Sequence, residues 1–332
     1  MREALVSTHR SIAAYSIMLG AAIALGMPLS NGCSMAPLTR VTSQDFPKPQ
    51  ACSECHVDIY NEWKASPHAQ AFINPRYVAA TDDHTFEQCL PCHAPQPAIA
   101  VSEPKVRTVS QELGVTCVSC HLDQGAMVGP LPPTGMVKPH PVRVDPSPFE
   151  AGRLCGSCHQ GTLAQWQAAK KDSSVDCREC HMPAVERTTT QATSEISKVF
   201  VRAEKVVREH QHSFTMIPSD LPSPAVSLDV DFADGDANIH LTNLLPHNLP
   251  TGDFGVRVVE VVVEGIDATD QPTPLGRWEL TNAAGRYLSA GAARTWSCKI
   301  PQSLRAVRVS LWRFGRDDSG RVLLLRREVA IP

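Results

Sequence analysis

Five copies of one pentapeptide limit what this chain can become: Cys52-Ser53-Glu54-Cys55-His56, Cys89-Leu90-Pro91-Cys92-His93, Cys117-Val118-Ser119-Cys120-His121, Cys155-Gly156-Ser157-Cys158-His159 and Cys177-Arg178-Glu179-Cys180-His181. At this composition chance supplies roughly 0.02 copies of C-x-x-C-H, the attachment signature of haem c. The spacing has a chemical reason. Two thiols three positions apart can add to the two vinyl groups of one porphyrin, and the adjoining histidine presents its imidazole to the iron from the same turn. Cys52, Cys55, Cys89, Cys92, Cys117, Cys120, Cys155, Cys158, Cys177 and Cys180 are therefore read as attachment points for five covalent haem c groups. His56, His93, His121, His159 and His181 are read as their first iron ligands. A disulfide framework has no use for a histidine after every second cysteine. Zinc ribbons pair two C-x-x-C knuckles, which five C-x-x-C-H units without a second ligand pair do not imitate.

Cys52 to His181 spans 130 residues, or 26 for each motif. So little polypeptide cannot wrap each macrocycle separately, so the porphyrins must form much of the core in contact with one another. That accounts for an aromatic content of only 5% in a chain otherwise composed like a soluble globular protein, with 42% apolar and 20% charged residues. Helical segments are predicted at 52–65, 76–81, 111–121, 150–170 and 174–181, with a long proline-rich loop over 122–148. Residues 192–214 read as an extended arm in preference to a helix. From about 222 the motifs stop and the pattern changes to period two. Seven short strands are expected, around Val226–Phe232, Ile239–Leu241, Val256–Val263, Trp278–Leu280, Trp296–Ile300, Val307–Leu311 and Val322–Leu324, separated by turns such as Asp234-Gly235. The expected fold class is a mainly α/irregular multihaem cytochrome domain, 51–221, followed by an antiparallel β-sandwich domain, 222–332.

The N-terminus supplies a compartment. Arg2 and Arg10 precede an uncharged run from Ser11 to Ser30, the pattern of an export signal over 1–36, followed by a linker over 37–50. Leu29-Ser30-Asn31-Gly32-Cys33 resembles a lipobox whose leucine sits one position too far upstream. Lipidation of Cys33, cleavage after Ala36 and retention of the apolar segment as a membrane anchor are three alternatives. All of them place the chain in the periplasm or on the outer face of a bacterial membrane. The net charge of −3 excludes a nucleic-acid partner, which calls for a cationic excess.

Six-coordinate irons need a second axial ligand. Seven histidines outside the motifs follow the signal segment: 68, 84, 140, 210, 212, 240 and 247. That supply favours bis-histidine haems over the histidine/methionine type. His68, His84, His140, His212 and His247 are the chosen distal ligands. Proline on both sides fixes the backbone at His140. His210 competes locally with His212, and His240 occupies a strand position. If His247 binds iron, a metal bond ties the β-domain to the haem domain.

Several words of sequence, taken with the motifs, resemble a known family. Trp63 through His68-Ala69, Gly114-Val115-Thr116, Cys177 through Met182-Pro183, His212-Ser213-Phe214, and His247 through Gly252 resemble the multihaem cytochromes typified by cytochrome c-554, over about 51–215. The resemblance implies haems on the five motifs and His68 as a distal ligand. Five motifs and a β-tail depart from the tetrahaem pattern, so the family's stacking order does not transfer.

Two functions follow. In the first, the haems pass electrons between a quinol oxidase or periplasmic donor and a terminal reductase. Residues 51–150 carry 11 acids against 6 bases, and 301–332 carry seven arginines against three acids. That asymmetry would steer a redox partner or promote self-association. In the second, one five-coordinate haem reduces or oxidises a small nitrogen or sulfur compound; no C-x-x-C-K motif supports it.

Overall fold

The computed structural model describes residues 46–135, 139–169, 175–216, 224–315 and 320–332. Cys33, the apolar segment Ser11–Ser30 and the expected boundary at 222 lie outside them. Among the described residues no helix is long and apolar enough to cross a membrane.

Up to residue 216 the elements are short. Helices α1 (Pro49–Cys52), α2 (Val57–Lys64), α3 (Pro75–Ala80), α4 (Leu90–His93), α5 (Cys117–His121), α6 (Arg153–Gly156), α7 (Gln160–Ala169), α8 (Cys177–His181) and α9 (Glu195–Val201) follow in chain order. Most are one or two turns, because each motif needs only enough helix to bring positions i, i+3 and i+4 to one side. The 122–148 segment departs from the expected plain loop. It forms β1 (Leu122–Asp123), β2 (Ala126–Gly129) and β3 (Val142–Val144), with β2 and β3 parallel. Five of its prolines fall between β2 and β3 and two follow β3, where no ladder N–H is required of them. Residues 192–214 combine both readings: α9 is helical, and β5 (Val207–His210) pairs antiparallel with β4 (Ala184–Arg187). Phe46, in the segment read as a linker, is buried against Val118 and Leu122.

The C-terminal part carries the seven expected strands, each longer than the sequence pattern alone marked. They are β6 (Val226–Ala233), β7 (Asp236–Asn243), β8 (Arg257–Asp267), β9 (Pro272–Thr281), β10 (Ala293–Lys299), β11 (Leu304–Gly315) and β12 (Val322–Ala330). They form two antiparallel sheets, ordered β10-β7-β6 and β12-β11-β8-β9. Asp234 and Gly235 both have positive φ, 54° and 77°, as a two-residue hairpin turn requires. Alternate residues of both sheets share one core: Leu228, Ile239 and Leu241 from the first, Val259, Val261, Val263, Val307, Val309 and Leu311 from the second. Period-two burial of β-branched and leucine side chains is what makes this part fold. Cys298 is a buried free thiol beside the carbonyl of Ala237.

Candidate haem sites

Each motif closes a turn that places its reactive atoms together. The His56 amide donates to the Cys52 carbonyl at 2.9 Å, and that of His159 to the Cys155 carbonyl at 2.9 Å. Cysteines i and i+3 and histidine i+4 then share one face. Thr116 opens α5 with a capping box completed by Ser119, and Asp176 caps α8.

The imidazoles are oriented by backbone carbonyls. Nδ1 of His56 lies 2.9 Å from the Thr189 carbonyl, Nδ1 of His93 2.6 Å from Ala71, Nδ1 of His121 2.8 Å from Val128, and Nδ1 of His181 2.7 Å from Thr215. A proton held on Nδ1 leaves Nε2 as the free base that a metal needs. Burial pushes His93, His121, His159, His140 and His247 below the ordinary histidine value, takes His68 to about 4 and takes His212 to about 3. These rings are neutral at pH 7, the state a ligand must have.

Four motif histidines face a second histidine. Ring centroids are 6.4 Å apart for His56 and His140, 6.1 Å for His121 and His212, 6.4 Å for His159 and His68, and 6.5 Å for His181 and His247. Two metal–nitrogen bonds of about 2 Å, with about 1.1 Å from each nitrogen to its ring centre, predict roughly 6.2 Å for imidazoles sharing one metal ion. An iron therefore fits between each pair, and the residues present fit the haem that the motifs imply.

His93 is different. Among the described residues no histidine faces it at that distance. Its ring stacks on Tyr77, 3.6 Å away and 8° from parallel. The Tyr77 hydroxyl is buried without a hydrogen-bond partner, and its pKa is pushed up to about 12 by desolvation and by Cys89 and Cys92. His84 is not turned toward His93: it stacks on Phe72, with Nε2 3.0 Å from the Phe72 carbonyl and Nδ1 3.2 Å from Asp83. His210 contacts the Met182 carbonyl, and His240, on the outer face of β7, pairs with Asp231 of β6.

The motif sulfurs show which sites adjoin. Cys52 is held below the ordinary thiol value by a hydrogen bond from Cys117, and Cys158 is brought to about 7 by one from Cys92. Cys177 is lowered by its bond with Cys155. Thioether formation would end these titrations and leave the adjacency. Motif 1 lies beside motif 3, and motif 4 beside motifs 2 and 5. Cys120, pushed up to about 12 by burial and then by Cys158, brings motif 3 beside motif 4 as well.

The distal side chains are held by groups that spacing arguments did not single out. Gly114 has a φ of +65°, and a Cβ there would come within 2.5 Å of the His68 carbonyl, which the Val115 amide binds at 3.0 Å. Trp63 Nε1 donates to the Val115 carbonyl at 2.8 Å. Arg107 is wholly buried and donates to the carbonyls of Pro95, Val109, Ser110 and Gly114, with Phe46 over its guanidinium. Glu62 accepts from the His212 amide at 2.8 Å and pairs with Arg187, which also pairs with Glu209. Burial opposes the Arg187 charge, yet its two carboxylates raise its pKa. Replacing Arg187 with methionine should leave both half-buried carboxylates uncompensated, costing about 3–5 kcal/mol in a denaturant titration.

His247 sits where the β-part meets α7. Asn243 donates to the His247 carbonyl at 2.8 Å, and Gln165 of α7 accepts from the Asn248 amide at 3.0 Å and from the Thr251 hydroxyl at 2.8 Å. Asp253 accepts from the Gly161 amide at 2.9 Å, in the first turn of α7.

Comparison with known proteins agrees with this geometry. The family described as cytochrome c554 and c-prime matches residues 51–122. A penta-heme cytochrome c552 from Thermochromatium tepidum is similar over 89% of this chain and all of its own, at 18% identity and a TM-score of 0.57. The chain shares its fold with that multihaem c-type cytochrome. Superoxide reductase (neelaredoxin) from Archaeoglobus fulgidus matches 32% of this chain and 89% of its own, at 12% identity. Its TM-score of 0.21 is too low to bear on the fold. No curated protein matches the chain.

Proposed function

We propose that this cytochrome carries five haems c and passes electrons between redox proteins outside the cytoplasm. The observation that carries the reading is the set of four histidine pairs spaced for a shared iron. His56 and His140 would hold site 1, His121 and His212 site 3, His159 and His68 site 4, and His181 and His247 site 5; His93 would hold site 2. A haem iron with two axial ligands stores and releases one electron without opening a bond to substrate. This chain's residues fix the imidazole tautomers, keep the sites dry and set the order in which they touch. The β-part, with one core built from both sheets, is read as a sandwich over about 222–332 that delivers His247. The export signal supports a periplasmic or outer-face location, with Cys33 or the apolar segment as an attachment point. A periplasmic or quinol-oxidising donor and a terminal reductase fit as partners, docking on the acidic region of 51–150 or the arginines of 301–332.

A second reading has one observation in its favour: His93 has no facing imidazole, so site 2 would be open to a small nitrogen or sulfur compound. Two measurements decide. Pyridine haemochrome analysis should return five haems c per chain. Electron paramagnetic resonance of the oxidised protein should show low-spin iron at four sites, with any high-spin signal confined to one. A high-spin signal that shifts with nitrite or hydroxylamine would turn the carrier into a catalyst.

A further inference from the structure

The paired histidines differ in what their Nδ1 atoms meet. His56, His121 and His181 each donate to a carbonyl between 2.7 and 2.9 Å, and His247 and His140 lie 3.0 and 3.3 Å from the carbonyls of their own neighbours Asn248 and Pro141. His68 has no such acceptor, and His212 meets only the His210 carbonyl, outside hydrogen-bond geometry. Their Nδ1 atoms are buried and unpartnered, and the imidazole of His159, an exposed residue, makes no hydrogen bond to another described residue. Phe214 packs beside both rings. Its ring centroid is 4.2 Å from that of His68 and 5.8 Å, at 90°, from that of His212. Phe214 takes this place with a φ of +46°, a strained backbone for a bulky residue that persists only where the surroundings enforce it.

A hydrogen bond from Nδ1–H raises the basicity of an imidazole toward its metal and so stabilises the more highly charged ferric state. Withholding it does the opposite, and burial of the His68 imidazole adds to the preference for the less charged ferrous state. Site 1 and site 5 have two hydrogen-bonded imidazoles each, site 3 has one, and site 4 has none. Asp253 opposes the trend at site 4, since its negative charge near His159 favours ferric iron. That carboxylate is exposed and already bound to the Gly161 amide, so solvent screens it. The ligand hydrogen bonds act directly on the coordinating rings and prevail.

We infer that site 4, framed by His159 and His68 against Phe214, has the highest reduction potential of the four paired sites and serves as the chain's electron reservoir. The inference rests on the haem assignment above. Site 4 also adjoins motifs 2, 3 and 5, so it collects from each branch. An adjacent ferrous site is oxidised to ferric as site 4 is reduced from ferric to ferrous; one electron moves, and no bond to the protein forms or breaks.

The test is a reductive titration of the full holoprotein with dithionite and mediators, following each low-spin resonance signal. His68→Ala and His212→Ala identify the signals of sites 4 and 3 by converting them to high spin. The site 4 signal should vanish first, with about nine-tenths of sites 1 and 5 still ferric when site 4 is half reduced, a tenfold preference within the range attributed to partners of metal ligands. Phe214→Leu, which adds no acceptor, should keep that order. Phe214→Gln, which places a carbonyl oxygen beside both rings, should move site 4 later in the titration and leave sites 1 and 5 in place. Reduction of site 1 or site 5 before site 4, or an unchanged position of site 4 in Phe214→Gln, would overturn the inference. Fewer than five haems by pyridine haemochrome would instead sink the assignment beneath it.

Discussion

Replacing Gly114 with alanine should turn one low-spin haem high-spin and leave the other paired sites low-spin. The added Cβ would lie 2.5 Å from the carbonyl oxygen of His68 and 2.9 Å from that of Ala69, both backbone atoms that cannot swing aside. The residue also has φ +65° and ψ −142°, a region that only glycine enters freely. Either the Val115–His68 hydrogen bond breaks or the His68 segment moves outward, and in both cases His68 leaves its place opposite His159. Backbone strain of this kind costs about 1–3 kcal/mol, enough to surrender a bond carried by one side chain. The measurement is resonance spectroscopy of the ferric protein, with His68→Ala as reference: the two variants should lose the same low-spin signal. A Gly114→Ala protein with wild-type signals would show that His68 is not held from this loop.

Removing His247 should have the second-largest effect, on both spectrum and stability. His247→Ala should convert site 5 to high spin and split thermal unfolding into two steps. Metal binding to groups brought together by folding adds its free energy to the folded state. His247 is where such a bond would cross between the β-part and the haem region. The remaining ties near it are hydrogen bonds: Gln165 to Asn248 and Thr251, Thr162 to Thr251, and Gly161 to Asp253. Each contributes only about 0.5–1.5 kcal/mol net, with more for the one to a carboxylate. Calorimetry should therefore show the β-part and haem region melting together in the wild type and apart in the variant. A single unchanged transition would mean that the interface holds without the metal bond.

The attachment residues were legible because their chemistry is local: two thiols and an imidazole within five positions need no knowledge of the fold. The β-strands were legible for a similar reason, since alternation such as Val259, Val261, Val263 records one buried face. The pairing of histidines was not. His68 meets His159 and His121 meets His212 through tertiary contacts, and nothing in their spacing states it. His84 shows the converse: proximity in sequence to the second motif did not turn its ring toward His93. The strands of 122–148 were hidden by prolines that lie between them, and parallel pairing of β2 with β3 leaves no hairpin signal. Arg107 stands in no motif or pattern that marks it. Its four backbone acceptors are close in sequence, but only the folded loop aims them at one guanidinium. Phe214 was noticed as a word beside His212, and its contact with His68 depends on a left-handed backbone that composition does not announce.

The positions of the paired histidines along the chain also set a timetable. Polypeptide is made and delivered from its N-terminus. His56 waits for His140, His121 for His212 and His181 for His247, so three irons would stand with one protein ligand until a later stretch arrives. Site 4 alone reverses this order, because His68 has emerged long before His159. It can close as soon as its own cysteines are joined to porphyrin, and it then offers motifs 2, 3 and 5 a finished neighbour to pack against. The newborn chain would mature outward from its fourth motif, and its last iron would be sealed only when the loop bearing His247 had been made.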